Sequence, residues 1–344
     1  MNRLRIISPA PRDVWWELVD TDATCFPFQT PTGIDAICAA SNSRDKSRLY
    51  EFPDGRRILL PLYCNRRLPK RLSILTTPKT GGPLSDGTIR TEHLRSILDD
   101  VARLPFLGQN VRPTAIQAEQ WVEVAPESAS SVECVSHVTD LSGGFETVWK
   151  ERFNSQGRRG IRKAEKSGLN VAEGDAREML EPYYGLLERS VERWAKDRGQ
   201  PLILARWRAR KTNSLKTLKR NFETMGSACR MWVAYLDGQP AAGIIVLFGR
   251  NAHYTRGAMD KKLAGPSRAS FLLQKLAIEE ACNRGCRYYN MGESGNSQNL
   301  ARFKKHFGAT EYRYPEYRFE MLPISKLEIR LRGAIRSLMA RRNS

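Results

Sequence analysis

The stretch 229–259, CRMWVAYLDGQPAAGIIVLFGRNAHYTRGAM, decides the fold class. Its apolar runs at 229–236 and 241–249 flank Asp237-Gly238, a pair that favours a two-residue hairpin turn because both residues tolerate left-handed backbone. A third run, 252–259, reads as a further strand. Beyond it, Leu272, Leu273, Leu276 and Ala277 recur at helical spacing within 267–284, and 287–291 is strand-like. Strand, hairpin, strand, helix, strand is the order of a mixed α/β layer.

Working back toward the N-terminus, the pattern predicts long helices near 176–197 and 212–225, and a helix over 145–166 interrupted near Gly157. Ser142-Gly143-Gly144 punctuates the chain before it. The first half alternates similarly. It has a strand at 3–7, a helix at 13–19, a hairpin at 47–63 around Pro53-Asp54-Gly55, a helix at 91–104, and strands near 114–117 and 132–141. The fold class expected is α/β (α+β). Three segments are expected: residues 1–141, residues 142–320, and a basic C-terminal helix over 321–344. At roughly 150 residues per domain, 344 residues have room for two cores.

Lys and Arg total 56 against 37 Asp and Glu, a formal charge of +19 that favours a polyanionic partner. An apolar fraction of 41% excludes a disordered chain. Residues 1–13 contain Arg3, Arg5 and Arg12 and no apolar run of the kind an export signal needs. The longest uncharged apolar stretch, 238–249, is 12 residues, whereas a spanning helix needs about 20. No transmembrane segment and a cytoplasmic location are expected. The seven scattered cysteines are expected as reduced core thiols, and the four histidines show no metal-ligand spacing, so no metal is expected.

The strings GxxxxGK[ST], GxGxxG, HExxH and GxSxG are absent, which argues against the common NTPase, dinucleotide, zincin and serine-hydrolase designs. What remains is a polar loop at 261–266 between a strand and a helix starting at Ser267. A helix start favours an anion, and Lys261, Lys262 and Arg268 add charge. The competing reading is a helix capped by Ser267 with solvated lysines.

Phe28-Gln29-Thr30-Pro31, Gly81-Gly82-Pro83-Leu84, the basic run RRGIRKAEKSG at 158–168 and FKKHFG at 303–308 occur in an order that resembles the Fem-type peptidyltransferases and their BioF2-like acyltransferase relatives. The resemblance implies two domains of the GNAT acyltransferase fold, with the C-terminal segment packing back on the first. It implies transfer of an acyl or aminoacyl group from a thioester or tRNA ester to an amine. The family's Phe-Lys pair falls on Phe303 and Lys304, with the lysine stabilising the tetrahedral intermediate and the phenylalanine carbonyl relaying a proton. A preplaced cation at a developing oxyanion contributes roughly 3 to 4 kcal/mol, so that role is physically coherent. The alternative is a solvated helix face formed by Arg302, Lys304 and Lys305. Glu293 follows the strand end and could accept a proton from the attacking ammonium, or be a plain loop acid. His306 is expected at the surface or partly packed, and Tyr254 and Tyr289 in the core.

Lys262, Gly265, Ser267, Arg268 and Ser270 are the donor or phosphate-binding candidates. They depart from the coenzyme A signature of the GNAT fold: Pro266 removes an amide and Ser267 places a side chain where backbone must approach. Acyl-CoA and aminoacyl-tRNA therefore remain alternative co-substrates, with no tightly bound cofactor. Substrate or tRNA electrostatics are assigned to Arg158, Arg159, Arg162 and Lys163 and to Arg206, Trp207, Arg208, Arg210 and Lys211. The span 206–220 has seven basic residues and no acid. In the C-terminal segment, Ile324, Leu327, Leu331, Ile335 and Leu338 share a face opposite Lys326, Arg330, Arg332 and Arg336, so the helix either packs on the first domain or lies on an anionic membrane. The expected function is acyl or aminoacyl transfer to an amine acceptor such as a cell-envelope precursor. The alternative is a catalytically inert RNA- or membrane-surface-binding protein on a GNAT scaffold.

Overall fold

A computed structural model describes residues 3–295 and 297–321. The expected C-terminal helix lies outside the described residues. Eleven described strands form one sheet, in the order Asn170–Gly174, Cys229–Leu236, Gln239–Leu247, Ala252–Met259, Tyr288–Glu293, Ser130–Asp140, Thr310–Glu320, Gly108–Val111, Ile74–Thr76, Tyr63–Asn65, Ser43–Asp45. A second sheet joins Arg5–Ile7, Arg48–Glu51, Arg57–Leu60 and Leu84–Ser85. The α/β class holds, and both halves of the chain share the larger sheet. Thr310–Glu320 supplies the seam, pairing antiparallel with Ser130–Asp140 on one side and Gly108–Val111 on the other.

The deciding stretch folds as read. Asp237 (φ 49°) and Gly238 (φ 74°) both take left-handed backbone and turn Cys229–Leu236 into Gln239–Leu247. These strands bury one face under the helix Ala269–Asn283, where Leu273, Ala277 and Ile278 meet Ile244, Val246 and Tyr289. They bury the other under Ala176–Asp197, where Tyr183, Leu186 and Leu187 meet Val233 and Ile245. Asp175 starts that helix by accepting from the amides of Arg177 and Glu178. All seven cysteines are free thiols.

Four local expectations need correction. Residues 115–117 form a 3₁₀ turn, and the strand lies earlier, at Gly108–Val111. The helix expected over 145–166 breaks at Phe153-Asn154: Asn154 caps a new helix, Ser155–Glu165, by accepting from the Gly157 amide. Gly157 does not interrupt anything; a Cβ there would sit 2.3 Å from the His306 carbonyl oxygen. We therefore expect Gly157→Ala to destabilise the fold by about 2 kcal/mol or more, read as a lowered urea midpoint with an unchanged slope. Residues 202–225 are two helices, Leu202–Asn213 and Leu215–Met225, because the Ser214 hydroxyl accepts from the Thr217 amide and restarts the chain. Finally, 261–266 is not a loop. Asp260 caps a short helix, Lys261–Ser267, and Arg268 then takes left-handed backbone (φ 58°) before Ala269–Asn283 begins.

Candidate functional site

The site grows from a parallel pair of strands that part. Ala252–Met259 stays bonded to Gln239–Leu247 from His253 to Met259, yet pairs with Tyr288–Glu293 only at Ala252↔Tyr289 and His253↔Asn290. A bulge at Thr255, whose hydroxyl donates to the Ile245 carbonyl, increases the local twist where the pair separates. The edge of 254–259 that faces Tyr288–Glu293 therefore has no strand partner. Backbone donors and acceptors on such an edge can bind an extended, amide-bearing chain.

Beyond the opening, Gly292 (φ 72°) turns the strand end and the helix Gln298–Lys305 follows. This places Lys304 in the interior. It is 2% exposed, and its Nζ donates to the carbonyl oxygens of Gly292 (2.7 Å) and Glu293 (2.9 Å). Burial pushes its pKa down to about 7, against the opposing pull of Glu293. Two buried imidazoles share the neighbourhood. His253 is pushed down to about 3, by burial and then by Lys304, and its Nδ1 has no hydrogen-bond partner. His137 is also lowered, first by burial and then by Lys304, against the pull of Glu311; its Nδ1 lies 3.3 Å from the Ser294 hydroxyl, and its Nε2 makes no hydrogen bond but stands 3.8 Å from the Glu311 carboxylate. The histidines are neutral near pH 7, so Lys304, about half protonated there, is the one of the three that carries positive charge.

The other expected catalytic residues are close by but differently employed. The Phe303 carbonyl accepts from the His306 amide, while its ring packs edge-on against Phe271 (5.1 Å) and Phe307 (5.2 Å). The Glu293 carboxylate is ion-paired with Arg112, which also grips Glu316. Burial works against the Arg112 charge, but Glu316 and Glu293 outweigh it and hold its pKa above the ordinary value. His306 is partly packed, as expected, with Nδ1 3.2 Å from the Asn154 amide oxygen. Tyr289 is a core residue whose hydroxyl meets Gln274, and Tyr254 is partly buried in the same core.

The anion candidates are only partly placed as expected. The Ser267 hydroxyl is buried and donates to the Leu263 carbonyl (2.7 Å), so it neither caps Ala269–Asn283 nor faces a ligand. Gly265 is exposed and a Cβ there would meet nothing, so no close backbone approach demands the glycine. The Ser270 hydroxyl lies against Met259 Sδ, while Lys262 and Arg268 are exposed. Arg268 sits over the Phe271 ring, which touches Phe303 and His306, and Phe271 also packs on Gly160. The helices Lys261–Ser267, Ala269–Asn283 and Ser155–Glu165 thus converge beside Gln298–Lys305. On Ser155–Glu165, Arg159, Arg162 and Lys163 are exposed. Arg158 is not available: its guanidinium donates to the carbonyls of Trp149, Lys150 and Phe153 and closes the preceding turn.

The second basic group stands elsewhere, on Leu202–Asn213, which packs along Ala176–Asp197. Arg206 pairs with Glu192, and Lys211 Nζ lies 5.4 Å from the exposed Trp207 ring. A cleft of about 250 Å³ between these helices is lined by Leu187, Val191, Glu188, Glu192, Arg206 and Arg210 among others, and shares no lining residue with the Lys304 cluster. Asp54, Glu92 and His93 lie close enough to share a cation, but Arg90 already pairs with both acids. Sequence reasoning missed Arg112, His137 and His253. In the sequence the two histidines stand far apart, with no ligand spacing to single them out, and Arg112 carries no local signal.

Residues 151–312 match the model of the acetyltransferase (GNAT) domain family. No curated protein matches the chain. Among solved structures it is similar to FemX, with a TM-score of 0.66 at 11% identity over 94% of this chain and 99% of that one. It is also similar to the C-terminal domain of a putative lysylphosphatidylglycerol synthetase from Agrobacterium fabrum, with a TM-score of 0.52 at 10% identity over 94% and 95% of the two chains. A tandem GNAT protein from the clavulanic acid biosynthesis pathway gives 0.52 at 12% identity over 92% and 98%. At these identities the likeness is one of fold. Among the described residues no helix is long and apolar enough to cross a membrane.

Proposed function

We propose that the chain transfers an acyl or aminoacyl group from an activated ester or thioester to an amine, a reading supported by the GNAT domain match over 151–312 and the likeness of its fold to FemX. The observation that carries this reading is the parallel strand pair that parts after His253, with Lys304 held beneath its far strand. The donor lies along the free edge of 254–259. Its carbonyl is attacked by the amine, the oxyanion forms, and the alcohol or thiol leaves with the proton the amine gives up. Lys304 has three N–H donors and two carbonyl acceptors, so a small shift of the Glu293 peptide offers one donor to the oxyanion. Phe303 holds Lys304 in register through the aromatic cluster. Glu293, already bound to Arg112, fixes the strand end and is assigned no proton transfer.

Arg159, Arg162, Lys163, Lys262 and Arg268 form the cationic rim that steers an anionic, phosphate-bearing substrate. The short helix Lys261–Ser267 stands where an open diphosphate loop would otherwise run, which favours an aminoacyl-tRNA or other bulky donor over acyl-CoA. A cell-envelope precursor amine is the acceptor class we favour, and the cytoplasm is its compartment. A thermal-shift comparison decides among donors, since a ligand that binds only the folded state raises the melting temperature. An aminoacyl-tRNA analogue is expected to raise it, with a response that falls steeply with salt. A shift with acetyl-CoA alone would replace the donor assignment, and no shift with any activated acyl donor would remove the transferase reading.

A further inference from the structure

The end of the helical hairpin made by Ala176–Asp197 and Leu202–Asn213 exposes apolar side chains that no core claims. Ile203 is 85% exposed, Trp207 59%, Leu202 38% and Trp194 37%. No described residue of Leu202–Asn213 is buried; Leu204, Ala205, Ala209 and Asn213 are partly covered, and Ala209 lines the cleft toward Ala176–Asp197. At helical spacing Ile203, Trp207 and Lys211 lie along one exposed side, while Arg206, which pairs with Glu192, and Arg210 border the cleft toward Ala176–Asp197. Single exposed apolar residues are ordinary on a surface, but four gathered at one tip are a patch.

Cations ring this patch. Lys196 and Arg198 lie on one side of the turn, Arg210 and Lys211 on the other, and 202–220 contains no acid; Asp197 lies in the turn, and Glu192 is taken up by Arg206. The Lys211 ammonium lies over Trp207, and the Arg193 guanidinium over Trp194. Two anionic partners fit the charge, and the apolar residues separate them. A single-stranded nucleic acid needs flat rings to stack on, and branched aliphatic Ile203 and Leu202 at the tip give it nothing. A bilayer interface takes aliphatic and indole side chains at the headgroup–acyl boundary while Lys and Arg reach back to lipid phosphates.

We infer that the tip around Leu202, Ile203 and Trp207 docks the protein peripherally on an anionic membrane surface. The inference is independent of the transfer reaction proposed above. It also puts membrane contact on residues other than the C-terminal segment.

The test is flotation of the full-length protein with vesicles of phosphatidylcholine alone and of phosphatidylcholine doped with phosphatidylglycerol. Binding is expected only to the anionic vesicles and falls with added salt. Ile203→Glu/Trp207→Glu is expected to cut partitioning about tenfold or more, and Arg210→Glu/Lys211→Glu by a similar factor, because each basic residue near such a surface contributes about fivefold. Melting temperatures should stay at the wild-type value, since these side chains are exposed. The control Arg159→Glu/Arg162→Glu removes the same charge at another exposed site and should leave partitioning within about twofold. Equal loss in the control would show that the +19 charge binds without a docking site and would overturn the inference. Wild-type partitioning by Ile203→Glu/Trp207→Glu would overturn it as well. So would loss of binding to a tRNA probe in that variant with vesicle binding unchanged, which would assign the tip to nucleic acid.

Discussion

Lys304→Met is expected to lower the rate of acyl transfer by about 10²- to 10³-fold while the protein stays folded, the loss typical of removing one oxyanion donor. Methionine keeps most of the buried stem, so the aromatic cluster of Phe271, Phe303 and Phe307 should persist. The carbonyls of Gly292 and Glu293 lose their donor, which costs roughly 1 to 3 kcal/mol. Removal of a buried cation offsets part of that cost. Transfer at the wild-type rate in the variant would end the assignment. The pH behaviour offers a second test. Folding lowers the Lys304 pKa from 10.5 to about 7, so between those values the unfolded chain binds the extra proton and the folded one does not. Stability therefore rises with pH across that window, and the rise should be missing in Lys304→Met. If the ammonium is the active form, the transfer rate falls as pH rises through about 7. A rate that climbs there would make the neutral amine a base.

The other large effect is expected at Arg112. Arg112→Met should destabilise the protein by about 3 kcal/mol, because it leaves Glu316, whose side chain is only 8% exposed, with Arg318 as its remaining partner. The triad ties three separate strands: Arg112 follows Gly108–Val111, Glu293 ends Tyr288–Glu293, and Glu316 lies within Thr310–Glu320. Adding Glu316→Gln should recover more than half of the loss by removing the stranded charge. A double variant as unstable as the sum of the two single ones would show that the pair is not coupled. Transfer should also weaken in Arg112→Met, since Glu293 shares its peptide region with the Lys304 contacts.

These two residues mark how far the sequence reaches. Lys304 was legible because the motif around it resembles a family pair, although nothing local announced that its ammonium would turn inward onto backbone carbonyls. Arg112 was not legible, since its partners stand 181 and 204 positions away. The strands of 229–259 were readable because alternation, apolar runs and an Asp-Gly turn agree with one another. The short helix Lys261–Ser267 was misread because Gly265 and Pro266 argue for a loop. The Asp260 carboxylate accepts from the Lys262 amide and the Ser267 hydroxyl returns to Leu263, so the helix survives both residues. Gln29 shows the reverse. The motif residues 28–31 and 81–84 meet in space: the Gln29 side chain donates to the Gly82 carbonyl and accepts from the Phe26 amide. Phe28 also reaches the second half, where its ring meets His253 edge-on with centroids 5.9 Å apart.

The seam strand Thr310–Glu320 also constrains how the molecule can come into being. Until residue 320 has left the ribosome, Gly108–Val111 and Ser130–Asp140 each wait with an open edge where that strand will sit. The first half cannot complete its sheet during synthesis, as a self-sufficient leading domain would. The chain must carry those edges for about 180 to 210 residues of elongation, roughly ten to forty seconds at about 5 to 20 residues per second. Premature pairing in that interval is the hazard such an architecture carries, and holdase chaperones are the natural guard against it.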